Sequence, residues 1–384
     1  MKKIILIFSF AHLLLYSFAQ QPCNDDLIMN TKGSWKKLND ANAFPDPGFP
    51  KNQFPQVNGR IDKMQKLLQA AYPEPKGMEA GWYCSIAGHP AVKAGPVPYA
   101  LEALFLAYHC SYEKKIESES ETRGGETGTW LYVWANQLNG WFAEYIKYYI
   151  IQKQPVYLLP QKTGTLNDYL LYEGNYNRTG QRYSRAIILT RTGQSPYLPV
   201  TQKQFLKAFL NYKEKRFVKT LDFEKNRAVK TNEEEEAAKK ENLKIIERVT
   251  PPEKLARAKD NFLRNYVTDK QRKEENITRM QKLYEEDMKP VQDLLANSPE
   301  QELEQPAFLD FDNLLEFKEF STEENGGRQL VRLNPGYFDM TLPKYVPQLF
   351  IVHWSWDDAK PGNYWRTQIK KNFNFNALKI MLGK

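Results

Sequence analysis

Beyond its first twenty residues, the 384-residue chain has no apolar run that approaches the length needed to cross a membrane. A helix that spans a bilayer needs roughly 20 consecutive, predominantly apolar residues. We therefore expect no transmembrane segment in the mature chain. Glycine is also absent from residues 201–298, which removes the residue that most often ends a helix.

The common catalytic motifs are missing as well. The sequence has no Gly-x-Ser-x-Gly elbow, no His-Glu-x-x-His pair, no phosphate-binding P-loop and no dinucleotide fingerprint. It has only four histidines. These absences predict no cofactor and favour a protein that is not an enzyme, although they do not decide that question.

The surplus of positive charge is small. The chain has 54 basic and 46 acidic residues, and without Lys2 and Lys3 its net charge falls from +8 to +6. A dedicated nucleic-acid binder concentrates a larger surplus on one face. The composition therefore predicts no nucleic-acid partner.

The N-terminus has the order of a secretory signal. Lys2 and Lys3 precede an apolar run, and Ser17 and Ala19 lie three and one positions before Gln20. We expect residues 1–19 to be removed and the mature chain to be exported, to the periplasm or outside the cell. Cys23 lies too far from the small residues to be the lipidated cysteine of a lipoprotein.

If the chain is exported, a disulfide is expected among its three cysteines, because an oxidising compartment favours such bonds. Cys84 and Cys110 lie in apolar, strand-like sequence, whereas Cys23 lies in a polar tail. The first choice of bridge is Cys84 to Cys110, with the other pairings left open. Cys84 and Cys110 with His89, His109 and His353 could bind zinc, but their spacing fits no standard ligand motif, so we predict no metal site.

The chain begins, after the signal, with an extended leader over residues 20–57, rich in Pro, Asn and Asp. A sheet domain is predicted from residue 58 to residue 200, opening with an amphipathic helix capped by Asn58. Runs of aromatic and β-branched residues between Gly, Pro and Asn predict its strands. These strands are Trp82–Ala87, Leu101–Tyr112, Thr129–Asn136, Pro155–Leu159 and Tyr183–Thr190.

Residues 201–298 predict a charged antiparallel helical hairpin, inserted in the sheet domain. Thr201 and Gln204 fit a capping box, and Thr250 before two prolines predicts a second helix start. In an antiparallel hairpin that turns near residue 250, the numbers of two facing residues add to about 500. With this pairing, the apolar clusters of one helix face the apolar clusters of the other. The seam of the second helix resembles that of a coiled coil. The alternative interpretation is a solvated, partly disordered linker.

Residues 299–384 complete the sheet domain in this scheme. Gln329–Leu333 and Glu316–Phe320 flank the turn sequence Asn325-Gly326-Gly327, which predicts a β-hairpin. Residues 349–356 are apolar on both faces, as in a buried strand. An interrupted amphipathic helix closes the chain. The fold class is therefore predicted as α+β, a mainly antiparallel sheet with a long helical hairpin inserted.

One short motif carries a resemblance. Residues 195–201, Ser-Pro-Tyr-Leu-Pro-Val-Thr, with Lys203, Phe205 and Leu206 and the Ala19-Gln20-Gln21 junction, resemble uncharacterised exported proteins of Bacteroidota. The resemblance implies an envelope or extracellular location. It implies no activity and no catalytic residues.

Two groups of residues are candidates for a site. His353, with Asp357 or Asp358 to orient a histidine, could act as a general base in a hydrolase. Trp130, Tyr132 and Trp134 alternate on one strand face and could stack against a sugar, although a strand apolar on both sides favours core packing.

The function predicted from these observations is binding. We expect an exported interaction protein, with the helical hairpin as its contact surface and another envelope protein or a glycan as its partner. The alternatives are a periplasmic hydrolase that uses His353 and a glycan-binding protein that uses exposed Trp and Tyr. The oligomeric state is left open.

Overall fold

The computed structural model describes residues 23–38, 51–86, 95–111, 115–118, 128–136, 142–173, 183–191, 193–310 and 316–384. The signal segment 1–19 and His89 lie outside the described residues, as does most of the charged stretch 113–125. The described chain is a mixed α+β protein in which antiparallel strand pairs predominate. This confirms the α+β class and the mainly antiparallel sheet, whereas the inserted long helical hairpin stays a prediction.

A large sheet forms the centre of the described fold. Its strand order is β1-β2-β3-β5-β14-β10-β9-β8, and β4 pairs with β3. The pairing of β1 with β2 is parallel, and the other pairs with a defined register are antiparallel. The strands are β1 (Trp35–Lys37), β2 (Met78–Ile86), β3 (Tyr99–Cys110), β4 (Ile116–Ser118), β5 (Thr129–Ala135), β8 (Lys162–Leu166), β9 (Tyr169–Glu173), β10 (Tyr183–Thr190) and β14 (Leu349–Trp356).

Strand β14 lies between β5 and β10, so distant parts of the sequence meet at the middle of the sheet. All eight of its residues are buried, as its continuous apolar sequence predicts. Predicted strands around β2, β3, β5 and β10 are also present, with bounds that differ by a few residues.

Helices cover one face of this sheet and form its main core. They are α1 (Asp25–Asn30), α2 (Phe54–Ala71), α8 (Lys360–Asn372) and α9 (Phe375–Lys379). Helix α2 buries Ile61, Met64 and Leu68, which recur at helical spacing, while α8 buries Trp365. The predicted Asn58 cap is wrong, because α2 begins at Phe54 with Pro55 in its first turn, where proline costs no hydrogen bond.

A second, five-stranded sheet has the order β11-β13-β7-β6, with β12 paired to β13. Gln152 and Lys153 both have positive φ, the conformation of the tight turn that joins β6 to β7. The predicted strand Glu316–Phe320 is wrong, because these residues form no strand beside Gly326. The strands are β6 (Glu144–Ile151), β7 (Gln154–Leu158), β11 (Tyr197–Pro199), β12 (Phe308–Leu309) and β13 (Arg328–Leu333).

The chain divides into two units. The first comprises residues up to Tyr145, Tyr157–Leu198 and residues from Leu309 onward, and the second comprises Ile146–Val156 and Pro199–Phe308. The second unit contains α3 (Gln202–Asn226), α4 (Asn232–Val249), α5 (Pro252–Arg264), α6 (Asp269–Asn297) and α7 (Glu300–Leu303).

The prediction of two long helices is therefore corrected to four. Thr201 and Gln204 form the predicted capping box of α3. Further capping boxes at Thr231 and Thr268 start α4 and α6 after breaks in the chain. Thr250 is not the cap of α5, because Pro251 occupies that position.

Aromatic rings form the core of the second unit. Tyr149 packs edge-on against Phe205 and Tyr212, with ring centroids 5.4 and 5.7 Å apart. Farther along, Phe217 of α3 and Tyr284 of α6 stack with centroids 4.2 Å apart. The Tyr149 contacts hold β6 against α3, and the Phe217–Tyr284 stack holds α3 against α6.

The disulfide joins Cys23 to Cys110 with a Cα separation of 5.6 Å, and Cys84 is a buried thiol. The predicted bridge from Cys84 to Cys110 is therefore wrong. Sheet register gives the reason: Cys84 lies opposite Leu101, nine positions along β3 from Cys110. At about 3.3 Å per strand residue, the two cysteines are on the order of 30 Å apart.

Candidate functional site

The three aromatic candidates lie on one face of β5, as their alternation predicts. Ring centroids are 4.5 Å apart for Trp130 and Tyr132, and 5.7 Å apart for Tyr132 and Trp134. Trp130 and Tyr132 are buried, and Trp134 is half-buried. The planes of neighbouring rings are inclined by 41° and 70°, so the rings do not offer the open flat platform that a sugar ring needs.

His353 lies on β14 directly opposite Tyr132, so the histidine and aromatic candidates meet on the same face of the sheet. Its ring contacts Trp130 edge-on, with centroids 4.6 Å apart. The side chain is fully buried, and neither ring nitrogen has a hydrogen-bond partner in the described part of the chain. Burial lowers the pKa of His353 from 6.5 to about 3, because the charged ring would lose its hydration.

The two carboxylates proposed as partners lie elsewhere. Asp357 accepts a hydrogen bond from the backbone N–H of Ala359 at 3.1 Å, and Asp358 accepts one from the hydroxyl of Tyr183 at 3.4 Å. Both lie past the end of β14, at the start of α8. The structure thus does not bring Asp357 or Asp358 to a ring nitrogen of His353.

The cysteines and histidines do not assemble into a metal site within the described residues. No group of three His, Cys, Asp or Glu side chains there has the arrangement of a metal site. Cys110 is in the disulfide, and Cys84 is distant from it along the strands.

Sequence reasoning missed a polar group next to the aromatic rings. Tyr83 lies opposite Glu102, and Glu102 lies opposite Tyr132, so all three share one face of β2, β3 and β5. Ser85 donates a hydrogen bond to Glu102 at 2.6 Å. Burial, and then the hydrogen bond with Glu102, raises the pKa of Tyr83. A lone glutamate in the apolar strand Leu101–Tyr112 was the available signal.

A charged hydrogen-bond network lies in the second unit, around the short non-helical segments 227–231 and 265–268 that join its helices. Glu235 is buried and accepts hydrogen bonds at 2.5 Å from the hydroxyl of Tyr266 and from the backbone N–H of Asp269. Arg227 donates to Asp269 at 3.0 Å, and Lys273 donates to the backbone oxygens of residues 225 and 227. These bonds satisfy backbone groups at the ends of the helices. The short non-helical segments between the helices therefore have a defined conformation.

Beyond this network, α4 and α5 have almost no core. Neither helix has a buried apolar residue, and Ile245 and Val249 are 42% and 71% exposed. An ion pair between Lys259 and Glu247 joins the two helices. Residues 232–264 contain eight basic and eight acidic side chains, so this surface has no net charge.

Comparisons with known proteins return nothing for this chain: no family model, curated protein or solved structure matches it. Within the described residues, none of the helices combines the length and apolar character needed to cross a bilayer.

The network predicts a local effect of Glu235. The hydrogen bond from Tyr266, followed by the one from the Asp269 backbone, lowers the pKa of Glu235. Replacing Glu235→Gln removes the charge that these donors favour, so we expect severalfold faster amide exchange in residues 227–231 and 265–269. Hydrogen exchange followed by mass spectrometry measures this change.

The matched control for that experiment is Glu236→Gln, because the Glu236 side chain is 75% exposed and pairs with Lys239 of the same helix. It should leave exchange in both breaks unchanged. Equal effects of the two substitutions would contradict a specific role for the Glu235 network.

Proposed function

We propose that the chain is an exported interaction protein and that residues 201–298 form an inserted antiparallel helical hairpin whose α4–α5 part contacts a protein partner. Contacts between the segments support the antiparallel arrangement. Phe217 stacks on Tyr284, Tyr266 donates to Glu235, and Lys259 pairs with Glu247. The partner we expect is another envelope protein.

The observation that carries the proposal is the exposed apolar surface of α4. Ile245 and Val249 are one helical turn apart and therefore lie on the same side of the helix. Exposed aliphatic side chains grouped in this way gain free energy when a partner covers them. Because α4 and α5 have no buried apolar side chain of their own, a partner that packs on them would bury apolar surface that they leave exposed.

The chemistry of this surface favours a protein over the other ligand classes. Aliphatic side chains offer no aromatic face for a sugar ring, and a surface with balanced charges has no attraction for a polyanion. A protein interface instead combines an apolar centre with a rim of both signs of charge. The α4–α5 surface has this composition.

The test uses a photoreactive residue at position 249 of the full chain in the cells that make it. Phe223 of α3, which is 73% exposed, provides the matched control position. We expect one recurrent protein adduct from position 249 and none from position 223. The adduct partner is then purified, and its Kd for the wild-type chain is measured.

Substitutions then test the surface itself. Ile245→Asp should weaken the partner's Kd by about tenfold or more, because it places a charge in an apolar contact. Phe223→Asp should change the Kd by less than about twofold, since most contacts away from a hot spot contribute little. No adduct from position 249, or equal effects of the two substitutions, would refute the proposal.

The geometry gives less support to the alternatives. A hydrolase at His353 needs an accessible ring nitrogen and a carboxylate bonded to the ring, whereas the ring is buried and neither of its nitrogens has a hydrogen-bond partner in the described parts of the chain. A glycan site on Trp130 and Tyr132 needs exposed ring faces, whereas these rings are buried.

A further inference from the structure

A cavity of about 580 Å³ lies in the first unit, where β10 ends and the last residues of the chain pass. This volume is in the range of sites that bind small organic molecules. The cavity is independent of the α4–α5 surface, because its lining belongs entirely to the first unit. The lining residues are Thr190, Arg191, Asn376, Lys379, Ile380, Leu382 and Lys384.

The polar side chains of this lining are mainly hydrogen-bond donors. Arg191, Lys379 and Lys384 are cationic, and no Asp or Glu side chain lines the cavity. Among the residues that the structure describes, none of the three cations forms a direct ion pair with a carboxylate, although Arg191 lies close enough to Asp339 to help lower the pKa of that carboxyl. The backbone oxygen of Lys384 accepts a hydrogen bond from Arg60 and is thereby satisfied. The side chains that line the cavity therefore carry more positive than negative charge.

Arg191 is held in place rather than free to swing into solvent. Its guanidinium donates to the backbone oxygen of Tyr337 and lies 5.0 Å from the centroid of the Tyr337 ring. The Nε atom is buried and has no hydrogen-bond partner in the described chain. The guanidinium also donates to the side-chain oxygen of Gln194 at 3.4 Å, and a guanidinium fixed in this way is a typical element of an oxyanion site.

Lys379 and Asn376 lie one turn apart on α9 and are positioned by the same ring. The ammonium of Lys379 lies 5.4 Å from the ring centroid of Tyr169, and the Tyr169 hydroxyl donates to the Asn376 side-chain oxygen at 2.5 Å. This bond directs the amide of Asn376 so that its nitrogen keeps both donors for a ligand.

The remaining wall is apolar. Ile380 is 63% exposed, and Leu382 lies beside the cations in the cavity lining. Residues 360–384 contain six basic and no acidic side chains, so the surrounding segment also attracts anions. The site thus combines an anion-binding side with an apolar side.

We propose that this cavity binds an amphiphilic organic anion, with its carboxylate or phosphate group at Arg191 and Lys379 and its aliphatic portion against Ile380 and Leu382. The bound anion offsets the positive charge of the lining side chains. Desolvation of the aliphatic portion adds to the affinity and distinguishes this ligand from a simple inorganic ion.

The test measures binding of four probes to the full chain by isothermal titration calorimetry. Hexanoate and hexyl phosphate carry both features, inorganic phosphate carries only the anion, and hexanol carries only the chain. We expect hexanoate or hexyl phosphate to bind at least about tenfold more tightly than either single-feature probe. The stronger of the two identifies the head group.

Two lysine variants separate the site from diffuse attraction. Lys379→Met keeps the length of the side chain and removes its charge, so the affinity for the tighter probe should fall about tenfold. Lys371→Met removes an exposed charge of the same basic segment outside the cavity and should change the affinity by less than about twofold. No binding at about 10 mM probe, equal losses in the two variants, or equal affinities for phosphate and hexyl phosphate would overturn the proposal.

Discussion

The double variant Cys23→Ser/Cys110→Ser is expected to lose about 4 kcal/mol of unfolding free energy relative to the wild-type protein. The bridge joins residues 87 positions apart and so restricts a long loop in the unfolded chain. It also secures the segment that forms α1 and β1, and β1 is a three-residue strand at the edge of the sheet. Urea unfolding with and without reductant measures the loss.

Tryptophan emission reports unfolding of the first unit alone, because all eight tryptophans lie outside Ile146–Val156 and Pro199–Phe308. Reductant should destabilise the wild-type protein and leave the double variant unchanged. Cys84→Ala is the matched control and should keep the reductant effect. If Cys84→Ala abolished that effect, Cys84 would be part of the bridge and the pairing described here would be wrong.

The central strands could be predicted from the sequence because strands buried in the middle of a sheet have continuous apolar runs. β14 and β10 have the bounds that their sequences indicate. β8 could not be found in this way, since four of the five residues Lys162–Leu166 are exposed and give no apolar pattern. The parallel pairing of β1 with β2 was likewise hidden, because a three-residue edge strand is defined by its neighbour.

In the helical segment, local sequence signals are sufficient to predict the starts of α4 and α6. The breaks before α4 and α6 follow from Thr231 with Glu234 and from Thr268 with Gln271, the same capping pattern that was recognised at Thr201. The network around Glu235 could not be predicted, because it joins residues about 31 to 34 positions apart.

The candidate site could be predicted only in part, for reasons of register. Alternation correctly placed Trp130 and Tyr132 on one face, but their contact with His353 depends on how β5 pairs with β14. A one-residue change in that register would place His353 on the opposite face from Tyr132. The same dependence explains the wrong cysteine pairing, since local composition carries no information on the register of β2 with β3.

His353 alone is expected to reduce the unfolding free energy by about 3 kcal/mol between pH 7 and pH 4. Its pKa in the folded protein is about 3, against 6.5 as the ordinary value. Between these values the unfolded chain binds a proton that the folded chain refuses, so stability falls as pH decreases through this window. Above pH 6.5 the ring is neutral in both states and contributes no pH dependence.

The measurement compares urea unfolding by tryptophan emission at pH 7, 5 and 4 for the wild-type protein and for His353→Leu, which has no proton to bind. The variant should lack the part of the acid destabilisation that arises from His353, although carboxyl groups still contribute equally to both proteins. His109→Gln, a change at a half-buried histidine of β3, is the matched control and should keep the wild-type slope. Parallel slopes for the wild-type protein and His353→Leu would mean that water or another hydrogen-bond acceptor reaches the His353 ring in the folded protein, and that the sheet face around Trp130 opens to solvent.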